Sequence, residues 1–169
     1  MNILTISGSA RPESTNSALL NSFPQRFPNR SFERYKTLNQ LPLFQVALDA
    51  APWPPAVVQW RRSLEMADAL IICTPAYLHN IPALLKNALE WISTSGELVS
   101  KPVLALTFTP HPPRGDKAMQ SLLWTLQALN ARIVGSLALY QQDIQFDKGS
   151  LKTDEDTKEL LEEAIKLLG

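Results

Sequence analysis

The stretch that decides the fold is ALIICTPAYLHNIPALLKNALEW, residues 69–91. It opens on ALIIC (69–73), an apolar run too short for a helix and without the alternation of a strand exposed on one side. Such a run reads as a central parallel strand buried on both faces. Thr74 and Pro75 end it. Further on, Ile81, Leu84, Leu85, Ala88, Leu89 and Ile92 recur at helical spacing and form one apolar stripe. Pro82 suits the first turn of that helix, where its missing N–H does no harm. Each proline biases the residue before it toward extended backbone, so the loop AYLHN between strand and helix is pinned at both ends.

The same alternation runs outward in both directions. ILTI (3–6), VLALTF (103–108) and IVGSLAL (133–139) are further short apolar runs, and SFERYKTL (31–38) alternates as an outer strand would. Residues 14–23 and 56–67 read as helices. Met119, Leu122, Leu123, Leu126 and Leu129 make another helical stripe. In the tail, Thr153 is placed to cap a helix whose first turn holds Asp154, Glu155 and Asp156, with a stripe of Leu160, Leu161, Ala164, Ile165 and Leu168. Strands alternating with helices predict an α/β fold with right-handed crossovers and a parallel sheet covered on both faces. Such sheets bind ligands outside the carboxyl ends of their strands, where the strand order reverses. The whole chain, residues 1–169, is expected to form one domain.

The totals narrow the classes of function. Apolar residues make up 45%, which excludes a disordered or fibrous chain. Lys plus Arg and Asp plus Glu are 16 each, which gives no electrostatic case for nucleic acid or an anionic membrane as partner. The single cysteine, Cys73, excludes an intrachain disulfide and a cysteine-based zinc cage, and no metal is expected. No apolar run approaches the roughly 20 residues needed to span a bilayer. With no leader before NILTIS, a cytoplasmic protein is expected.

The loop after the first strand, SGSARPESTNS (7–17), is dense in hydrogen-bond donors and runs into a helix. Free N–H groups at such a turn favour an anion. Ser7, Ser9, Ser14, Thr15 and Ser17 add hydroxyls, Asn16 an amide and Arg11 a planar fork of charged donors. Gly8 allows a tight backbone. There is no G-x-x-x-x-G-K-[ST] for nucleoside triphosphates and no G-x-G-x-x-G for dinucleotides. From composition alone, a solvated turn with a helix cap fits as well as a phosphate seat.

In the loop after the third strand, Tyr77, Leu78 and His79 could set a flat apolar wall and backbone amides against an aromatic ligand. His79 has no evident carboxylate partner and reads as a packing or hydrogen-bonding residue rather than a general base. Cys73 reads as a buried, inert thiol. Lys86, Asn87 and Glu90 lie off the apolar stripe and are expected to face solvent or a second subunit.

Three motifs together carry a resemblance. GSARPESTN (8–16) resembles G-S-x-R-x-x-S-x-N. LPLF (41–44) followed by PPAVVQWRRSLEMADALIICTPAY (54–77) resembles the stretch leading to a P-x-Y element. IPALLKNALEW (81–91) resembles I-P-G-x-L-K-N-A-[LI]-D-W. These are the motifs of the NADPH-dependent FMN reductase family, and the similarity covers roughly residues 2 to 135. The resemblance implies a flavodoxin-like three-layer sandwich with strand order 2-1-3-4-5 and helices on both faces. It implies FMN and NADPH as cofactors. The FMN phosphate would sit on Ser9, Arg11, Ser14, Asn16 and Ser17, and the isoalloxazine against Pro75, Ala76, Tyr77, Leu78 and His79. A homodimer or homotetramer is implied, with the stripe on residues 81–92 facing the second subunit. Three departures stand out: PAYL (75–78) replaces P-E-Y-N, Ala83 replaces a common glycine, and the usually glycine-rich loop after strand four is TPHPPRGDKA (109–118).

The implied function is an FMN-dependent NAD(P)H oxidoreductase that passes hydride to FMN and on to a small electron acceptor: a quinone, an azo compound, a metal oxyanion or free flavin. No catalytic triad and no essential side-chain acid or base is needed, and none is found. The alternative is a non-enzymatic flavin-binding electron-transfer or sensor module, which the altered loops motivate. A structural protein of this fold without flavin is the third reading.

Overall fold

Strand β3 (Ala69–Thr74) has all six of its residues buried, so both faces of the sheet around it must be covered. In the computed structural model of the protein, which describes residues 1–147 and 149–169, five parallel strands meet that demand. They are β1 (Asn2–Ser7), β2 (Ser31–Tyr35), β3, β4 (Pro102–Thr109) and β5 (Arg132–Tyr140), in the order β2-β1-β3-β4-β5. Register is in step across the centre: Ile6 pairs with Ile72, and Ile72 with Ala105. This is the flavodoxin-like order, with its switch point between β1 and β3. The fold class expected from the alternation of elements is the one observed.

Because side chains alternate along a strand, the sheet feeds two cores. Leu4, Ile6, Leu70, Ile72, Val103 and Ala105 point to one face. Helices α2 (Pro55–Met66), α3 (Ala83–Glu90) and α4 (Asp116–Ala128) cover it. Ile3, Ala69, Ile71, Leu104 and Leu106 point to the other, under α1 (Thr15–Arg26) and α5 (Glu155–Lys166). No described helix is long and apolar enough to cross a membrane.

The structure corrects four local expectations. The cap of α5 is Asp154, whose carboxylate accepts from the Thr157 N–H at 2.7 Å. Thr153 is unavailable because it ends strand β7. That strand (Ser150–Thr153) pairs antiparallel with β6 (Ile144–Asp147) in a small hairpin that the apolar pattern did not mark. Phe146 of the hairpin meets Phe108 edge-on, and Ile144 is buried in the core. Leu160 leaves the predicted stripe of α5 and is exposed, while Leu161, Ala164, Ile165 and Leu168 are buried.

The third and fourth corrections concern α3. Its stripe does not face a second subunit: Ile81, Leu85, Ala88, Leu89 and Ile92 are all buried in the chain's own core. Nor is Asn87 solvated. Its side-chain oxygen accepts from the Phe44 N–H at 2.7 Å, and its amide donates to the Pro42 carbonyl at 3.0 Å. The Trp91 indole donates to the same carbonyl at 2.7 Å. The LPLF segment is therefore clamped onto α3 by polar groups. Lys86 and Glu90 do pair in solvent, one helical turn apart.

A second clamp holds the following loop. The Arg61 guanidinium on α2 pairs with Asp49 at 2.7 Å and Glu97 at 3.6 Å, donates to the Trp91 carbonyl, and lies over the Trp53 ring. All three charged side chains are largely buried. The Thr94 hydroxyl, burial notwithstanding, holds the Asp49 carboxyl below its ordinary pKa with help from Arg61. Removing one member of such a group strands the others in low dielectric. Arg61→Leu is therefore expected to destabilise the fold by about 3–5 kcal/mol, read as a lower urea midpoint. A loss under about 0.5 kcal/mol would mean that water already compensates the carboxylates.

Candidate functional site

The carboxyl ends of β1, β3 and β4 bring the informative loops together. Gly8 follows β1 directly, and its N–H donates to the Cys73 carbonyl at 2.8 Å. A Cβ there would lie 2.8 Å from the Thr74 hydroxyl and 2.9 Å from Leu85, so only glycine lets the first loop pass this close to β3. Ser14 caps α1, accepting from the Ser17 N–H at 3.1 Å. The Thr15 and Asn16 N–H groups at the helix start remain without an intrahelical partner.

Two adjoining clefts lie above these strand ends. The narrower, about 180 Å³, is lined by Ser9, Arg11, Ser14, Thr15 and Asn16 from the first loop and by Pro75, Ala76 and Tyr77 from the third. The wider, about 440 Å³, is lined by Ala76, Leu78, His79, His111, Pro113 and Arg114 and is mostly apolar. Ala76 and Arg114 belong to both. No carboxylate lines either, and Arg11 and Arg114 form no ion pair among the described residues. Hydroxyls, helix-end N–H groups and an unpaired guanidinium are the donor set that a phosphate takes, and a flat apolar cleft next to it suits an aromatic ring. The residues present fit FMN.

Of the ten residues singled out in the sequence, nine line these clefts. Ser17 does not. Its hydroxyl is buried between Ser7, to which it donates at 3.3 Å, and Ser14, from which it accepts at 3.0 Å. Arg34 on β2 also donates to it. Asn16 is nearly enclosed: its amide donates to the Phe108 carbonyl at 3.2 Å and its oxygen accepts from the Cys73 thiol. Asn16 thus ties the first loop to β3 and β4 and leaves chiefly its backbone to the cleft.

Tyr77 and Asn80 exchange both backbone hydrogen bonds at 2.9 Å, closing a two-residue turn on Leu78 and His79. Both central residues have positive φ, 49° and 62°. Such turns ordinarily take Asn-Gly, so each non-glycine residue there carries roughly 1 kcal/mol of strain. The turn holds Leu78 99% exposed at the mouth of the apolar cleft.

Sequence reading missed Phe108, Thr109, Pro110, His111 and Gln141 as lining residues. Gln141 follows β5 and donates from its amide to the Thr15 hydroxyl at 2.9 Å, joining the far edge of the sheet to the first loop. Its one available signal was its place just beyond a strand's carboxyl end. The prolines at 110, 112 and 113 withhold N–H donors from the fourth loop. The Thr109 hydroxyl and the Arg114 carbonyl close that loop, leaving the Arg114 side chain as its charged group toward the clefts.

A flavodoxin-like sheet with donor-lined and apolar clefts at its switch point is the frame of a nucleotide-binding α/β protein. The comparisons fix the family: residues 1–143 match the model of NADPH-dependent FMN reductase, and the chain belongs to that family. Its members are oxidoreductases that use FMN and NAD(P)H. The chain is 39% identical over 124 residues to the NADH:(hydroxy)cinnamate reductase subunit CrdA of Vibrio ruber, across 73% of this chain and 60% of that subunit. It is 29% identical to an NAD(P)H-dependent FMN reductase of Pseudomonas aeruginosa, across 98% of this chain and 92% of that one. Among solved structures, the flavoenzyme NAD(P)H:(acceptor) oxidoreductase FerB of Paracoccus denitrificans has the same fold, with TM-score 0.76 at 23% identity over 99% of this chain and 94% of that one.

Cys73 is not part of the chemistry. It is fully buried, and burial pushes its thiol well above the ordinary range. The native protein at pH 8 is expected to leave a disulfide thiol reagent unreacted, and one thiol per chain is expected to titrate in 6 M guanidinium. Rapid labelling of the native state would place the thiol on an accessible surface.

Proposed function

We propose that this protein, acting as one domain over residues 1–169, is an FMN-dependent NAD(P)H reductase of a small planar acceptor, a quinone first of all. The balanced reaction is NAD(P)H plus quinone plus a proton giving NAD(P)⁺ plus quinol. The observation that carries this reading is the joining of a cleft lined by the first loop's donors to a wider apolar one through Ala76 and Arg114. Bound FMN would supply the two-electron chemistry that links nicotinamide to acceptor. The protein's work is binding and orientation. Arg11, Ser9 and the Thr15 and Asn16 N–H groups hold the phosphate, with Ser14 capping the helix beneath them, while Pro75, Ala76, Tyr77, Leu78 and His79 face the ring. Arg114, at the junction, offsets negative charge that develops beside it. The names of relatives support the acceptor class, among them a quinone reductase of Escherichia coli, 27% identical over 79% of this chain. Azo compounds, metal oxyanions and free flavin are the other acceptors of this chemistry.

A second copy of the chain is proposed to complete the unit as a homodimer or homotetramer. Since α3 is used up in the core, Leu78 and the half-exposed Tyr77 at the cleft mouth are what a partner would cover.

The purified protein is expected to be yellow, to bleach with NADPH or NADH, and to recover colour when a benzoquinone is added. Arg11→Ala is expected to weaken FMN about 10- to 100-fold, the value of one or two charge-assisted hydrogen bonds. Unchanged flavin affinity in Arg11→Ala would refute the phosphate seat, and a protein that takes up no FMN would end the proposal. A second reading, electron delivery to a partner, is favoured by the match to CrdA, which is named as a subunit. A protein that bleaches with NAD(P)H yet leaves every quinone, azo and flavin acceptor unreduced would select it.

A further inference from the structure

A third cleft, about 270 Å³, opens on the opposite side of the first loop, above β1 and β2. Its chemistry is unlike that of an ordinary surface depression. Arg34 and Lys36 line it, with Ser7, Ser9, Asn21 and Tyr35, and no carboxylate among the described residues does. Neither cation forms an ion pair among the described residues. The Arg34 guanidinium is held in place by the Asn21 side chain at 2.7 Å and by the Ser17 hydroxyl, yet its Nε is sealed from solvent with no hydrogen-bond partner. Burial lowers its pKa, and no carboxylate is placed to raise it.

Tyr35 gives a second, independent observation. The side chain is 8% exposed, its ring packed on Trp60 with centroids 4.7 Å apart. Its hydroxyl is buried without a hydrogen bond of good geometry. Burial raises its pKa, offset in part by the nearby Thr37 hydroxyl. Buried polar groups are normally satisfied, and here two residues that line one cleft, braced on opposite faces of the sheet by α1 and by Trp60, each keep a buried donor unmade. Strand geometry prepares this. Arg34 and Tyr35 close the parallel strand β2, and Lys36 follows at its carboxyl end, where α/β sheets hold ligands.

We propose that this cleft is a second anion subsite, which takes the phosphate or carboxylate group of a small molecule on Arg34 and Lys36, with Tyr35 in its wall. Ser9 lines both this cleft and the narrow one, so the two anions would sit on either side of one loop. The volume admits a phosphoryl or carboxyl group with the ring that bears it, and is too small for a whole dinucleotide. A nicotinamide nucleotide phosphate and the carboxylate of an aromatic acceptor offer the same chemistry. The inference does not depend on the flavin reading.

The test is calorimetric titration of the FMN-loaded protein at low ionic strength with inorganic phosphate, 2′,5′-ADP and benzoate. Saturable binding of at least one is expected, weakened about 10-fold in Lys36→Gln, with the visible flavin spectrum of that variant unchanged. Arg34→Gln is expected to weaken it at least as much. Since Arg34 also braces the Ser17 hydroxyl, Lys36→Gln is the decisive variant should Arg34→Gln fold poorly. Lys36-dependent binding that is tightest for 2′,5′-ADP assigns the cleft to a nucleotide phosphate; tightest for benzoate, it assigns the cleft to an acceptor carboxylate. No saturable binding of any of the three, or binding that Lys36→Gln leaves unchanged, overturns the proposal. Should the protein refuse FMN, the same titration run without flavin still reads this cleft through its dependence on Lys36.

Discussion

The structure depends on one constraint: the central strand β3 has no face that tolerates water. Its six buried residues require helices on both sides, and the parallel order of the sheet follows from the crossovers that place them. With both faces apolar, polar chemistry is left to the carboxyl edge, where strands stop and loops begin. There the backbone has N–H groups to spare, and α1 adds its unpaired first turn. The switch between β1 and β3 parts the crossovers and leaves a crevice at that edge. The position of the site is thus a consequence of how the core is covered.

The edge is held together by small polar contacts rather than by bulk. Gly8 comes within van der Waals reach of Thr74 and Leu85. Asn16 spans from the first loop to β3 and β4, and Gln141 reaches back to Thr15 from beyond β5. Behind the loop, Ser7, Ser14 and Ser17 form a hydroxyl cluster closed by Arg34. These bonds fix the first loop before any ligand arrives, which lowers the entropy cost of binding one. The second loop is fixed differently, by a two-residue turn whose residues bear positive φ despite their side chains. Strain of this kind persists where surrounding structure enforces it, here two flanking prolines and a paired bridge.

The clefts hold two arginines and two histidines, and no carboxylate among the described residues lines them. This is a poor site for hydrolysis, which needs an oriented base, and a good one for an anionic cofactor that carries its own reactivity. Family membership and the polarity of the edge therefore point the same way. The unusual fourth loop fits this picture. Its prolines surrender amide donors, and Arg114 stands at the junction of both clefts where a donor is wanted.

Much of this was written in residue order. The two-sided apolar runs gave the strands, the helical stripes gave the covering helices, and GSARPESTN with TPAYLHNIP gave both walls of the site, because such patterns act through neighbours in sequence. What sequence could not supply were contacts between residues far apart in the chain. Ser17 looked like a phosphate ligand and is instead turned toward Arg34 of the next strand. Asn87 looked solvated and instead binds the backbone of residues 42 and 44. The α3 stripe looked like an interface and fills the chain's own core. Local pattern determines whether a side chain is polar, apolar or charged and which face of its element bears it. Only the packing of elements decides what stands opposite that face, because burial and hydrogen bonding are properties of pairs that the fold, not the chain order, brings together.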